Sequence, residues 1–153
     1  MKARRVMLIS SFFCRGPIEN DDKNELEIIH FLKAKEAIIE KLILHELNIH
    51  KALKIQFIVF ASYLKTNNID EVEIKQFNFQ AKFQEYIQTT VFTDIFHQSV
   101  KNISSKSQEF LTNGSGFLLY SLDYIVLSIN KWRQIRAKGK LKIPPNIAKK
   151  SCN

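Results

Sequence analysis

The chain has 153 residues, a length that allows one domain of ordinary size and excludes larger catalytic folds such as barrels and two-lobed kinases. Hydrophobic residues make up 45% and charged residues 25%, and with only 4 Gly and 3 Pro the chain is neither collagen-like nor largely disordered. The net charge of +8 is uneven, because residues 17–130 carry 11 basic and 15 acidic side chains whereas both ends are basic.

The first feature along the chain is a basic N-terminal segment, residues 1–20. Three cations, Lys2, Arg4 and Arg5, precede a short apolar stretch, Val6–Cys14, as in a secretory signal peptide. Arg15 then puts a charge where the cleavage site of such a peptide needs small residues. We therefore expect a short buried strand with a basic lead-in, and we keep secretion as an alternative.

A helical pattern follows from Asp21 to about His50. Asp22 and Glu25 have the spacing of a capping box, in which two side chains satisfy the free amides at the helix start. Seven apolar residues recur at helical spacing and predict one buried stripe: Leu26, Ile29, Leu32, Ile39, Leu42, Ile43 and Leu47. The pattern predicts one long amphipathic helix.

The next segment is rich in β-branched and aromatic residues, which predicts a strand from about Leu53 to Leu64. Alternation places one set of side chains on a single face: Leu53, Ile55, Phe57, Val59, Ala61 and Tyr63. Ile58 and Phe60 on the other face indicate that both faces are at least partly covered. A weaker strand is predicted from Val72 to Phe79 after a polar turn.

The remaining pattern predicts a second helix and a second long strand. Helical spacing runs from about Phe83 to Thr112, with a plausible break between Thr89 and Thr93, and Asn113-Gly114 is a helix stop. Phe117–Asn130 has the alternation of a strand, most clearly at its C-terminal half.

These elements predict an α+β fold, with two long amphipathic helices packed on a small, mostly antiparallel sheet and followed by a basic C-terminal tail. We divide the chain into the N-terminal segment 1–20, a single α+β domain at 21–132, and a basic, Pro-containing tail at 133–153.

Motifs for catalysis or metal binding are missing from the sequence. His45 and His50 are five residues apart, which places the two imidazoles about 140° apart around a helix, so that one metal ion cannot bind both. Cys14 and Cys152 have no ligand-spaced partners, and two cysteines do not form a disulfide scaffold. We predict a non-enzymatic, intracellular protein, nuclear or cytoplasmic, without metal or cofactor. The sequence has no run of about 20 apolar residues, so it predicts no membrane span.

The basic C-terminal segment is the candidate binding site. It contains eight cations and no acidic residue: Lys131, Arg133, Arg136, Lys138, Lys140, Lys142, Lys149 and Lys150. Lys and Arg near phosphates release condensed counterions, so such a segment favours binding to nucleic acid. Trp132 and Tyr124 are candidates for stacking on bases, although a Trp beside a strand end is also typical of a core. Alternatively, the charges only keep an ordinary domain soluble.

The C-terminal third also resembles a known family. Glu109-Phe110, Gly114-Ser115-Gly116-Phe117, Ile125–Trp132 and Ile143–Asn153 occur in the order seen in the leader region upstream of protein-primed type B DNA polymerases of Polinton/Maverick-like mobile elements and adintovirus-like viruses. The likeness extends upstream to about Lys51 and so covers roughly two-thirds of the chain. Phe117 and Trp132 stand where the family has Trp and Tyr, and Arg133–Gly139 replaces a Pro-Leu stretch.

The resemblance implies an accessory version of a replication-associated leader domain, shortened relative to the family, without the downstream nuclease and polymerase modules. From it and from the charge pattern we predict a non-enzymatic protein that binds DNA, weakly or non-specifically, or a replication complex that includes a type B polymerase or a related protein. Two alternatives stay open: a protein-interaction or decayed module without a nucleic-acid role, and a small secreted effector.

Overall fold

A computed structural model of the chain describes residues 12–14, 17–68, 71–113 and 116–131, with residues 12–14 described as backbone only. In chain order the elements are β1 (Phe12–Cys14), β2 (Ile18–Glu19), α1 (Ile28–Ala34), α2 (Glu36–His50), β3 (Ala52–Asn68), β4 (Glu71–Gln80), β5 (Gln84–Ile87), α3 (Phe92–Thr112) and β6 (Leu118–Lys131).

The six strands form one antiparallel sheet built around β3. Strand β6 pairs along one edge of β3, with Phe57 opposite Leu127. On the other edge β4 pairs with the C-terminal part of β3, and β5 pairs with its first residues. β1 and β2 pair with β6, so parts of the segment 1–20 belong to the sheet. The division into three segments stays a prediction.

The long central strand follows directly from the alternation in its sequence. Every member of the predicted face, from Leu53 to Tyr63, is at most 1% exposed, so that prediction is confirmed. We call this the inner face of the sheet, because the helices pack on it. Phe57 meets Phe96 of α3 edge to face, with ring centroids 6.1 Å apart. Ile58 and Phe60, on the opposite or outer face, are also buried, as the sequence indicates.

An aromatic cluster closes the inner face near the C-terminal end of β3. Tyr63 packs edge to face on Phe77, Phe79 and Phe110, with centroids 4.9 to 6.2 Å apart. Phe117 joins Phe77 at 5.3 Å. These rings come from β3, β4, α3 and the residue that precedes β6, so the cluster fixes the end of α3 against the sheet.

The prediction of two long helices on a small sheet is wrong, although the α+β class holds. The part of the chain that the structure describes has three helices and a six-stranded sheet. The pattern from Asp21 to His50 does not form one helix, because α1 begins only at Ile28 and a break at Lys35 separates it from α2. Leu26 and Ile29, which were predicted in the buried stripe, are 47% and 40% exposed.

Local hydrogen bonds explain the late helix start. The Asn20 side chain accepts from the Asp22 amide at 3.1 Å, and the Asp22 carboxylate accepts from the Asn24 amide at 3.0 Å. Such side-chain bonds to nearby amides hold the backbone in turns and compete with a helix. The capping-box spacing of Asp22 and Glu25 therefore marks a turn.

The second predicted helix is also partly wrong. Gln84–Ile87 forms β5, which pairs with Ala52–Ile55, and α3 begins at Phe92. The break expected between Thr89 and Thr93 is thus confirmed, but the residues before it are strand. The predicted strands at 72–79 and after Gly116 are confirmed as β4 and β6.

Candidate nucleic-acid interface

Lys131 is the one predicted basic residue of the C-terminal segment that lies within the described residues. It is exposed at the last position of β6, opposite Leu53 of β3. Seven further cations lie outside the described residues, as does Trp132: Arg133, Arg136, Lys138, Lys140, Lys142, Lys149 and Lys150.

Tyr124, the other predicted stacking residue, lies elsewhere on the sheet. It is half-buried on the outer face and stacks on Phe60, with centroids 4.8 Å apart and planes 24° apart. Seven residues of strand separate it from Lys131, a distance of roughly 23 Å. Burial and the nearby carboxylates of Asp123 and Glu19 raise the pKa of Tyr124, and a hydrogen bond with Gln76 opposes that shift. The structure therefore does not bring Tyr124 and Lys131 together.

A second basic surface, which sequence reasoning missed, lies between the β4–β5 connection and α3. This basic groove is a depression of about 500 Å³ lined by Lys82, Gln84, His97, Gln98, Lys101, Asn102 and Ser105. None of these residues is a carboxylate. Lys82 and Lys101 are exposed, and neither has an ion pair within the described residues.

The groove is assembled by specific contacts between α3 and the connection. Asn102 accepts a hydrogen bond from the Lys82 amide at 2.9 Å, which fixes the connection to the helix. One turn further along α3, the Lys106 ammonium donates to the Gln80 carbonyl at 2.6 Å. His97, Lys101 and Ser105 are four residues apart and so share one face of the helix. The groove thus offers two cations beside neutral groups that can donate hydrogen bonds.

The groove and the start of the basic C-terminal segment lie at the same end of the sheet. Leu53 of β3 has Lys131 opposite on one side and Tyr86 of β5 on the other. Two strand spacings, roughly 10 Å, therefore separate Lys131 from β5. Lys131 continues the alternation of Leu127 and Ile129, which places it on the inner face, the face on which α3 packs.

The sequence carried only a weak signal for this groove. The polar residues at 97, 98, 101, 102 and 105 form a stripe at helical spacing, but a solvated helix face has the same pattern. Lys82 comes from a different element, next to a strand that was predicted as helix. The groove therefore depends on tertiary contacts that sequence spacing alone does not give.

The outer face carries a polar network of the opposite character around Asp123. Strand β6 is irregular here, since Phe60 pairs with Tyr124 and Ala61 with Leu122, which leaves Asp123 as the extra residue of a bulge. The Asp123 carboxylate accepts from Ser62 at 2.7 Å, Gln76 at 2.8 Å and Ser121 at 2.6 Å.

The three donor residues, Gln76, Ser62 and Ser121, occupy directly paired positions of β4, β3 and β6. The bulge therefore lets the Asp123 carboxylate accept hydrogen bonds from side chains of three strands. A depression of about 670 Å³ surrounds the network and includes Glu19, Lys23 and Tyr120. With two carboxylates and one ammonium it is mildly acidic. Such a surface repels phosphate, in contrast to the basic groove.

Other chemistry is not evident in the part of the chain that the structure describes. No group of three His, Cys, Asp or Glu side chains there could hold a metal ion. The Nε2 atom of His50 lies 3.6 Å from the Oε1 atom of Glu46, one turn earlier in α2, and His45 is exposed. None of the helices in the described ranges is both long enough and apolar enough to cross a bilayer.

Comparisons with protein-family models, with curated proteins and with solved structures find no match for this chain.

Proposed function

We propose that this protein is a non-enzymatic accessory module that binds the phosphate backbone of nucleic acid, in the setting of mobile-element or viral replication that its sequence resembles. The observation that carries the proposal is the basic groove, with two exposed lysines and no carboxylate among its lining residues. The basic C-terminal segment begins at Lys131, at the same end of the sheet.

The chemistry of the groove suits backbone contacts. Lys82 and Lys101 supply charge, and Gln84, Gln98 and Asn102 carry amide groups that can donate to phosphate oxygens. Exposed lysines bind phosphates as point charges, so such contacts discriminate little between sequences. Binding should therefore be tolerant of sequence and strongly dependent on salt.

The acidic character of the outer face favours binding of nucleic acid on the inner side of the sheet. Glu19 and Asp123 raise the cost of placing a phosphate near Tyr124, whereas the basic groove and Lys131 share the inner side of the sheet. A bound strand would therefore follow the groove and continue onto the basic C-terminal segment. A type B polymerase or related replication protein would meet this module on the DNA.

The test is a salt series of binding to a fluorescein-labelled DNA duplex, read by fluorescence anisotropy. One variant carries Lys82→Gln and Lys101→Gln, and a second replaces all seven cations after Lys131 by Gln. If both lysines contact phosphates, the double variant reduces the magnitude of the slope of log K against log salt by about 1.8. The tail variant, which removes seven cations, reduces that magnitude by more than the double variant does.

Lys41→Gln is a matched control, since Lys41 is an exposed lysine of α2 that does not line the groove. It should keep the slope of the unmodified chain. Equal, salt-insensitive binding by the unmodified chain and both variants would overturn the proposal. Loss of slope in the tail variant alone would remove the groove from the interface while keeping the C-terminal segment.

A further inference from the structure

The surface concerned is the free edge of β4 together with the apolar residues beside it. Within the described residues β4 pairs only with β3, which leaves the other edge of this ten-residue strand open. Open edges present unpaired amides and carbonyls to any other strand. Val72 and Ile74 of this strand are 58% and 54% exposed.

Ile74 belongs to an apolar row that crosses three strands of the outer face. It pairs with Leu64 of β3, which pairs in turn with Leu118 of β6. Leu118 is 67% exposed, and Tyr120, two residues further along β6, is 56% exposed. A contiguous apolar patch beside an open strand edge is typical of an interaction surface.

The hydrogen bonds at the end of β4 show which of its backbone groups point outward. The Ala81 amide donates to Phe57 of β3 at 3.0 Å, whereas the Gln80 carbonyl accepts from the Lys106 side chain. Since backbone groups of successive residues in a strand point to opposite sides, the amides and carbonyls of Val72, Ile74 and Gln76 point away from β3. They are therefore positioned to pair with another strand.

We propose that this edge binds a second copy of the chain, with β4 of each copy antiparallel to the other and Ile74 opposite its own symmetry mate. This places residue 72 opposite residue 76 of the other copy and lets both strands exchange backbone hydrogen bonds over residues 71–77. The twelve strands then form one continuous sheet across the two-fold axis.

The charges of β4 favour this register. Glu73 lies opposite Lys75 of the other copy, and the two-fold axis makes that pair twice. Both side chains are substantially exposed, at 41% and 58%, and lie 4.0 Å apart within one chain. Because their backbone groups point toward β3, they form the closely spaced type of cross-strand pair, in which side chains approach best.

The neighbouring two-fold registers are less favourable. Centring the pair on Glu73 puts that carboxylate opposite its own copy, and centring it on Lys75 does the same with two ammonium groups. Like charges directly opposite each other destabilise a strand pair. A second copy is therefore a partner whose charges and backbone groups match this edge without any further assumption.

Charge reversal tests the interface in a way that a folding defect cannot imitate. In Glu73→Lys the homodimer would place the introduced ammonium group opposite Lys75 twice, and in Lys75→Glu it would place two carboxylates together twice. Each variant alone should associate about tenfold more weakly than the unmodified chain. Mixed in equal amounts, the two variants form a heterodimer in which both pairs join an ammonium group to a carboxylate, because one chain carries ammonium groups at positions 73 and 75 and the other carries carboxylates at both.

The double variant provides a second rescue, within a single chain. A chain with both Glu73→Lys and Lys75→Glu places an ammonium group opposite a carboxylate at both pairs again, with the charges exchanged between the two positions. It should therefore associate as tightly as the unmodified chain, although each single change weakens association. The equal mixture of the single variants should also associate about as tightly as the unmodified chain, although each variant alone associates more weakly, because both pairs of the heterodimer join opposite charges.

Sedimentation velocity over a range of protein concentrations, without nucleic acid, measures all these samples. Lys41→Glu makes the same charge change as Lys75→Glu on an exposed site of α2 and should associate like the unmodified chain. A monomer at every concentration would overturn the proposal, as would dimers that both single variants form as well as the unmodified chain. Failure of the double variant, or of the equal mixture of single variants, to recover association would also overturn it. None of these results affects the proposed binding of nucleic acid, which is measured separately.

Discussion

The two faces of the sheet use the same strands for different purposes. On the inner face of β3 every second side chain from Leu53 to Tyr63 is apolar and buried under the helices. On the outer face the same strand contributes, in succession, the buried Ile58 and Phe60, the polar Ser62 and the partly exposed Leu64. A uniform face makes a core, whereas a mixed face leaves groups available for recognition.

The largest expected effect comes from making the same substitution on the two faces of the sheet. Ile55→Ala removes a fully buried side chain of the inner face and should lower the free energy of unfolding by about 3 kcal/mol, from lost burial and the cavity left behind. Ile74→Ala on the outer face removes a side chain that is 54% exposed and should change it by no more than about 0.5 kcal/mol.

Urea denaturation at low protein concentration measures both, so that association does not add to the stability of either variant. Similar losses for the two variants would contradict the division of the sheet into a core face and a recognition face.

The pH dependence of stability sharpens the same contrast. Burial raises the pKa of the Tyr63 hydroxyl to about 12, against 10.0 for an unperturbed tyrosine. The folded state therefore holds this proton more tightly than the unfolded state. Its contribution to the free energy of unfolding is fully present below pH 10 and is lost as the pH rises through about 12, by at most about 3 kcal/mol.

Tyr63→Phe should lose less stability than the unmodified chain between pH 10 and 12, and urea denaturation at several pH values measures the difference between the two. Lysine deprotonation affects both chains alike and cancels in that difference. Identical pH profiles would show that the Tyr63 hydroxyl is not buried in an apolar environment.

The polar network on the outer face should contribute less than the core but more than a surface group. Asp123→Ala leaves the side chains of Ser62, Gln76 and Ser121 without their acceptor, and we expect a loss of about 2 kcal/mol. Asp123→Asn keeps one acceptor oxygen and should lose less. Urea denaturation compares the two variants, and an equal loss would mean that the space filled by Asp123 matters more than its hydrogen bonds.

The sequence predicted the inner face far better than the outer face, for a physical reason. Alternation alone identifies the buried side of β3, because burial repeats every two residues along a strand. The Asp123 network needs a bulge in β6 and the pairing of Ser62 with both Gln76 and Ser121, and no local pattern encodes that register. Strand β5 was missed because four residues of strand are too short to outweigh the helical spacing that follows.

The helical errors have a similar origin. The apolar spacing through Leu26 and Ile29 is real, but the turn-forming side chains of Asn20 and Asp22 decide the backbone there. The basic groove could be anticipated only as a polar stripe on α3, since Lys82 reaches it from another element. Local propensity thus identified the long elements, and tertiary contacts decided the boundaries and the candidate site.

The smallest expected effect concerns the aromatic pair of the outer face, Phe60 and Tyr124. Their stacked rings should couple by about 0.5–1 kcal/mol, measured by a double-mutant cycle of Phe60→Leu and Tyr124→Leu in urea denaturation.

The same Tyr124→Leu chain separates two roles for this residue. If Tyr124 serves the fold, the variant loses the coupling energy and binds DNA as the unmodified chain does, because the neighbouring carboxylates keep phosphate away. If DNA affinity falls while the coupling is absent, Tyr124 is a stacking residue as the sequence predicted, and the outer face, rather than the basic groove, leads the interaction with nucleic acid.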